Sequence, residues 1–229
     1  MGCSGNRTFI AFRVSCILMI AIALTLQGIS LRKDAKWDQY VTGAIEVDNQ
    51  MYHPAVYQIN AYQSPWRLTV INDYDTQYHN RYNVYMEEYT NNTDWREEVL
   101  RYELAGIGLA SISVCVLVIP SLVPYFLTIK KLQIGCLLGS TCLCVISAAL
   151  IFKGVVQYSQ NYQAILNPKV KTFEWFYHMT DNTLAMDFYF AFGAAIFQFF
   201  SGVALILHLI MFVRSDARKT EGKVESICM

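Results

Sequence analysis

The sequence predicts an all-α membrane protein: a four-helix transmembrane bundle carrying one large outer loop. Three observations lead there. Of 229 residues, 54% are hydrophobic and the mean hydropathy is +0.28, too apolar for an ordinary soluble domain. The apolar residues gather in four runs, 14–31, 104–129, 132–152 and 188–213. Each is near or above the roughly 20 residues that a helix needs to cross about 30 Å of hydrocarbon. The charges, balanced at 18 of each sign, are divided unevenly between segments. Segments 1–13, 130–131 and 214–229 hold eight basic and three acidic residues, whereas 32–103 and 153–187 hold ten basic and fifteen acidic. Lys and Arg resist translocation, so the positive set is cytoplasmic. The expectation is a multi-pass protein of the plasma membrane with both termini cytoplasmic and segments 32–103 and 153–187 outside.

The cytoplasmic N-terminus, 1–13, begins Met1-Gly2-Cys3. Position 6 is Asn where the myristoylation pattern prefers Ser or Thr, so palmitoylation of Cys3, a thiol close to the bilayer, is the expected lipidation. Two readings stay open for Val14–Leu31: a retained first helix, or a signal peptide cleaved near Gly28-Ile29-Ser30. Its length exceeds the usual h-region of about 7–15 residues and favours the helix. The second helix has a start signal in Asp94-Trp95-Arg96-Glu97, a capping-box arrangement. Trp95, Val99 and Tyr102 follow on one face. Pro120 and Pro124 predict a kink near its cytoplasmic end. The turn Lys130-Lys131 then forces the second and third helices into an antiparallel pair. The third helix contains Gly135 and Gly139 in a GxxxG face, which lets backbones approach closely, with Gly106 and Ala110 as small partners on the second. The fourth helix, 188–213, is rich in Phe. The cytoplasmic tail, 214–229, ends with apolar residues at the last and third-last places, Met229 and Ile227, which fits strand addition in a PDZ groove.

Residues 32–103 are the longest polar stretch, with ten tyrosines and no cysteine. No disulfide is therefore available to order them. Partial alternation over 55–72, broken at Ser64-Pro65, suggests a short hairpin. Tyr74, Tyr78, Tyr82, Tyr85 and Tyr89 recur at steps of three and four, which predicts one helical stripe suited to a protein contact. Asn91-Asn92-Thr93 is a glycosylation sequon, and the predicted placement outside makes Asn91 a glycan site. Five cysteines, Cys16, Cys115, Cys136, Cys142 and Cys144, fall in the helices and read as small apolar fillers.

Catalytic chemistry finds no foothold. His53, His79, His178 and His208 are scattered without metal-ligand spacing, and neither a phosphate-binding glycine loop nor a nucleophile elbow occurs. The expected protein is not an enzyme and uses no cofactor or metal. Transport requires polar groups within the spans. Apart from Gln27, His208 and some Ser and Thr, the spans are expected to hold none, with Lys153 and Asp187 at the borders. That speaks against a pore through one protomer and leaves a pathway lined by the outer loops of an oligomer. His208 is expected to reach a backbone carbonyl or a headgroup.

Cytosolic termini, a long first outer loop, a short inner turn and a smaller second loop together resemble the claudin-like four-pass group, which includes peripheral myelin protein 22 and the channel gamma subunits. Claudins carry a Trp, then Gly-Leu-Trp, then two cysteines in the first loop. Trp37 and Trp66 stand where those tryptophans would, Ser64-Pro65 replaces Gly-Leu, and both cysteines are missing. The resemblance is one of topology, and no functional residue is carried over. The functional expectation is a membrane protein acting through protein–protein contacts of its outer loop, at a cell contact or as an accessory subunit of a channel or receptor. Its expected partners are membrane lipids, other membrane proteins or a second copy through the loop and the GxxxG face, and a PDZ domain at the C-terminus. Nucleic acid is not among them. A small transporter or oligomeric pore is the alternative.

Overall fold

The computed structural model describes residues 3–32, 35–42, 45–47, 55–65, 68–74, 82–86, 94–122, 129–162 and 179–225. Four helices dominate: α1 (Cys3–Ser30), α2 (Asp94–Leu122), α3 (Lys130–Asn161) and α4 (Met186–Glu225). All four are long and apolar enough to cross a membrane, over Ile10–Ser30, Trp95–Ile119, Lys130–Asn161 and Met186–Ser215. This is a multi-pass membrane protein.

The helices outrun the apolar stretches that mark them. α1 begins eleven residues before Val14, α3 continues nine past Phe152, and α4 runs on into the segment read as a tail. Apolar length reports the thickness of the bilayer, while the flanking Lys, Arg, Gln and Glu are good helix formers that continue the same hydrogen-bond ladder. α2 starts at Asp94, the residue of the capping box, and Pro120 lies within its last turn. Pro124 is outside the described residues.

The chain divides into two compact units. One comprises Met1–Leu26, Leu104–Ile151 and Gly193–Met229; the other comprises Gln27–Glu103 and Phe152–Phe192. In the first, all four helices contribute to one core of Cys16, Ile20, Ala110, Leu117, Leu137, Cys144 and Leu205. Cross-contacts set the helix directions. Phe12 stacks on His208 and Leu26 lies 3.7 Å from the Cβ position of Gly193, so α1 and α4 are antiparallel. The Ser113–Ser140 and Gly106–Ser147 hydrogen bonds make α2 and α3 antiparallel as well.

Buried positions repeat every three and four residues. They are Arg13, Cys16, Ile20, Ala23, Gln27 and Ser30 on α1, and Val99, Glu103, Ala110, Ser113 and Leu117 on α2. On α3 the series is Gln133, Leu137, Ser140, Cys144, Ser147, Ile151, Val155 and Tyr158, and α4 follows it with Ala191, Ala194, Gln198, Ser201, Leu205 and His208. That is the spacing of a helical-bundle seam. The exposed residues are instead Leu18, Ile22, Ile112, Ile146, Phe199, Phe200 and others like them. An interior of small and polar residues with an exterior of large apolar ones is the arrangement a bilayer selects, because lipid tails are as apolar as leucine.

Besides the bundle, the second unit contains a six-stranded sheet that the all-α class leaves out. Its strands are β1 (Asp38–Thr42), β2 (Ile45–Val47), β3 (Ala55–Gln63), β4 (Leu68–Tyr74), β5 (Tyr82–Met86) and β6 (Met179–Leu184). They run β5-β4-β3-β1-β6, every neighbour antiparallel, with β2 also paired to β3. The β3–β4 pair spans the stretch expected to form a hairpin, from Tyr57↔Tyr74 to Gln63↔Leu68. The second interhelical segment adds β6 beside β1, with a register shift between Val41 and Thr42.

The helical tyrosine stripe is corrected where it is described. Tyr74 ends β4, and Tyr82 and Tyr85 belong to β5, facing Asn72 and Thr69 in the pairing. Tyr and Val favour strands, and a neighbouring strand satisfies the backbone where an isolated short helix would be marginal. Tyr82 and Tyr85 are an odd number of positions apart, so a two-residue repeat does not bring them into the row that a helix would. Tyr78, Tyr89 and the sequon Asn91 lie outside the described residues, as do Ile227 and Met229.

Candidate functional site

In the second unit, a chain of hydrogen bonds and stacked rings joins helix residues to the sheet. Glu103 of α2 is completely buried. The Gln27 side-chain amide of α1 donates to both its backbone carbonyl, at 3.0 Å, and its carboxyl Oε2, at 2.9 Å. Three residues on, Ser30 Oγ donates to the Gln27 carbonyl at 2.9 Å, and the Ser30 carbonyl accepts from the indole of Trp37 at 2.6 Å. Trp37 precedes β1, and its own carbonyl accepts from Ala185 N at 2.8 Å, just beyond β6. Glu103 is thus linked stepwise to the two paired strands that come from different interhelical segments.

Rings pack around the same centre. Trp37 has no exposed surface and meets Tyr158 at 4.8 Å and Phe188 at 5.8 Å, both edge-on. Tyr158, equally buried, also meets Trp95 at 5.6 Å. Edge-to-face pairs at these separations add about 0.5–1.5 kcal/mol each beyond the area they bury. A second tie runs beside them. Asp187 in the first turn of α4 accepts from the Lys36 backbone N–H at 2.7 Å and pairs with Arg32 at 3.6 Å. Lys153 lies 4.4 Å from the centre of the Tyr102 ring.

Space at Glu103 is governed by Gly154. A Cβ built on that glycine would stand 2.7 Å from Glu103 Oε1, an oxygen with no hydrogen-bond partner among the described residues. Glycine at 154 therefore leaves room for the carboxyl group.

In the first unit the polar groups are distributed along the seams. Arg13 donates to Gln133 Oε1 at 3.1 Å, both side chains being buried. Ser113 and Ser140 exchange hydroxyl-to-carbonyl bonds, and Ser113 Oγ is 3.1 Å from Cys144 Sγ. His208 is buried with its ring parallel to Phe12 at 5.5 Å. Cys16 and Cys144 are buried fillers, whereas Cys115 and Cys142 are exposed. The polar inventory of the spans expected from sequence, Gln27 and His208, is too short. Arg13, Glu103, Gln133 and Gln198 also lie within the candidate spans.

The residues proposed for helix packing separate into two groups. Gly106 accepts from Ser147 Oγ at 2.8 Å and Ala110 belongs to the core. Gly135 and Gly139 have nothing within 4 Å of an added Cβ, because α3 turns Gln133, Leu137 and Ser140 inward. The close glycine contact in α4 is instead Gly202, whose Cβ position is 3.1 Å from Val145 Cγ2. Cys3 is the first residue of α1.

No protein-family model matches the chain, and no curated protein matches it.

Sequence reasoning missed the Glu103–Gln27–Ser30–Trp37 chain. Its signal was present as polar residues three and four apart inside apolar runs, which mark the inward face of a membrane helix.

Proposed function

We propose that this protein is a non-enzymatic, claudin-like four-pass protein of the plasma membrane that presents its sheet outside the cell and acts through protein–protein contacts there. The observation that carries the proposal is the anchoring of the sheet. Strands from both interhelical segments pair with each other, and Trp37, Glu103 and Asp187 tie them to helix residues. A platform ordered before binding loses less conformational entropy when a partner docks. In the described order β5 and β6 are the edge strands, and an edge offers unpaired backbone groups to an added strand. The charge division supports cytoplasmic termini, with Asn91 glycosylated and Cys3 palmitoylated. The open Gly135 and Gly139 suit contact with a second copy or another membrane protein.

The test is proximity labelling on intact cells with a tag in the first interhelical segment. Tyr82→Ser with Tyr85→Ser is expected to reduce capture of neighbours severalfold while surface level holds. Full capture at normal surface level overturns the platform reading. Loss of the glycan-dependent mobility shift in Asn91→Gln checks the orientation.

A small transporter or oligomeric pore is the second reading, and one observation favours it. Glu103 and Gln27 place a carboxyl group and an amide within candidate spans, where ionisable groups commonly mark transport paths. Ion flux in liposomes that responds to Glu103→Gln would select it.

A further inference from the structure

Gln198 lies near the middle of the span Met186–Ser215 and has no exposed surface. Among the described residues neither its Nε2 nor its Oε1 has a hydrogen-bond partner. The side chain carries two donors and an acceptor, and a bilayer interior supplies none to replace them. Its neighbours in sequence do not help. Phe197 and Phe199 flank it, and Ser201 Oγ donates back to the Phe197 carbonyl at 2.7 Å.

Two contacts on α4 bracket its level in the first unit. Gly193 approaches Leu26 of α1, and Gly202 approaches Cys144 and Val145 of α3. Counting along the antiparallel helices between them places Gln198 between Ile20 and Ala23 on α1 and level with Ala148, next to Ser147, on α3. Ser147 in turn donates to Gly106 of α2. Ala23, Gly106, Ser147 and Ala148 are small and buried near this level, beside the larger buried Ile20. An amide with unmet donors and acceptor thus occurs beside small residues of α1, α2 and α3. The buried charge of this unit, Arg13, is bonded to Gln133 near the start of α3, well away along the helix axis.

We propose that Gln198 and this small-residue layer form a binding site for a neutral, water-sized guest that both donates and accepts hydrogen bonds, in the first instance water itself. Neutrality follows from the described residues named at this level, none of which is charged. Size follows from its alanines and glycine. The need for both hydrogen-bond senses follows from the amide, whose Nε2 requires an acceptor and whose Oε1 requires a donor. The inference is independent of the partner-binding reading above.

The test uses the full chain in lipid bilayers with nitrogen-15 in its glutamine side chains, and water as the probe. Magnetisation transfer from water should reach the Gln198 side-chain amide several times faster than it reaches the Leu205 methyl groups, and the amide signal should fall on transfer to heavy water. Gln198→Leu assigns the signal by its loss, with Gln198→Met as the substitute if the leucine variant does not insert. The wild-type measurement requires no variant to fold. Transfer as slow as to Leu205 overturns the proposal. So does a direct coupling of the amide to a backbone carbonyl of this chain or to a second copy, because the protein would then supply the partner.

Discussion

Trp37 and Gln198 are both completely buried, and each carries a polar group into the interior. Their situations are otherwise opposite. The Trp37 indole N–H is 2.6 Å from the Ser30 carbonyl, Tyr158 and Phe188 meet its ring edge-on, and Trp95 packs on Tyr158 behind it. Gln198 has no partner among the described residues and lies near Ile20, Ala23, Gly106 and Ala148. The difference separates two uses of a buried polar atom. A partnered one fixes geometry, since moving the ring would strand its N–H and the carbonyl together. An unpartnered one holds no neighbour in place, so its presence calls for a guest.

That contrast can be broken most severely at Trp37. Trp37→Ala removes the largest buried side chain and should lower stability by about 3–5 kcal/mol, read as the unfolding midpoint in mixed micelles. Loss of the sheet signal in far-ultraviolet circular dichroism before the helical signal would show that the ring anchors the strands. A shift under about 1 kcal/mol would place the anchor elsewhere.

The partnered side is sharpened at Gly154. Gly154→Ala places a methyl group 2.7 Å from the present position of Glu103 Oε1, so the carboxyl group must turn. Breaking the Gln27 bond in this way should cost about 1–3 kcal/mol. Combined with Glu103→Ala, the same alanine should cost less than it does alone, with a coupling of about 0.5–3 kcal/mol in a double-mutant cycle. Strict additivity would show that Gly154 is not there for the carboxyl group.

The smallest expected effects concern glycines of the first unit. Gly202→Ala would put its methyl group 3.1 Å from Val145 Cγ2 and should destabilise by about 1 kcal/mol or more. Gly135→Ala has nothing within 4 Å and should gain up to about 1 kcal/mol from helix propensity. Opposite signs at the two glycines would confirm which face of each helix is inward. Equal losses would show that Gly135 meets another copy in the membrane.

Much of the helical architecture was legible because a bilayer imposes a length on every span. The four runs follow from hydropathy, and the start at Asp94 follows from the capping-box pattern Asp94-Trp95-Arg96-Glu97. Inward faces are legible in small and polar residues, and the GxxxG expectation picks the inward face at Gly106 and Ala110 but not on α3. In a soluble bundle leucines mark the core, whereas here Gln133, Ser140 and Ser147 mark it and Gly135 and Gly139 do not. The sheet was half legible. Alternation exposes a local pair such as β3–β4, but the pairing of β1 with β6 joins residues more than 130 positions apart and leaves no local period. The tyrosine spacing misled because steps of three and four constrain a helix only when nothing else pairs with the backbone, and β4 does. Glu103 was assigned to the loop because a charged residue ends an apolar run, although its partner Gln27 had been noticed on its own.

The repeat of threes and fours along the seams has a consequence for how this chain can vary. Substitutions on the outward faces exchange one oily side chain for another and leave the pattern in phase. One residue inserted in α3 after Cys144 would rotate everything beyond it by about 100°. Ser147, Ile151, Gly154 and Tyr158 would leave the seam together, and the Gly106 bond, the space for Glu103 and the ring beside Trp37 would be lost in a single step. The spans behave as text in a fixed reading frame, tolerant of altered letters and intolerant of an added one.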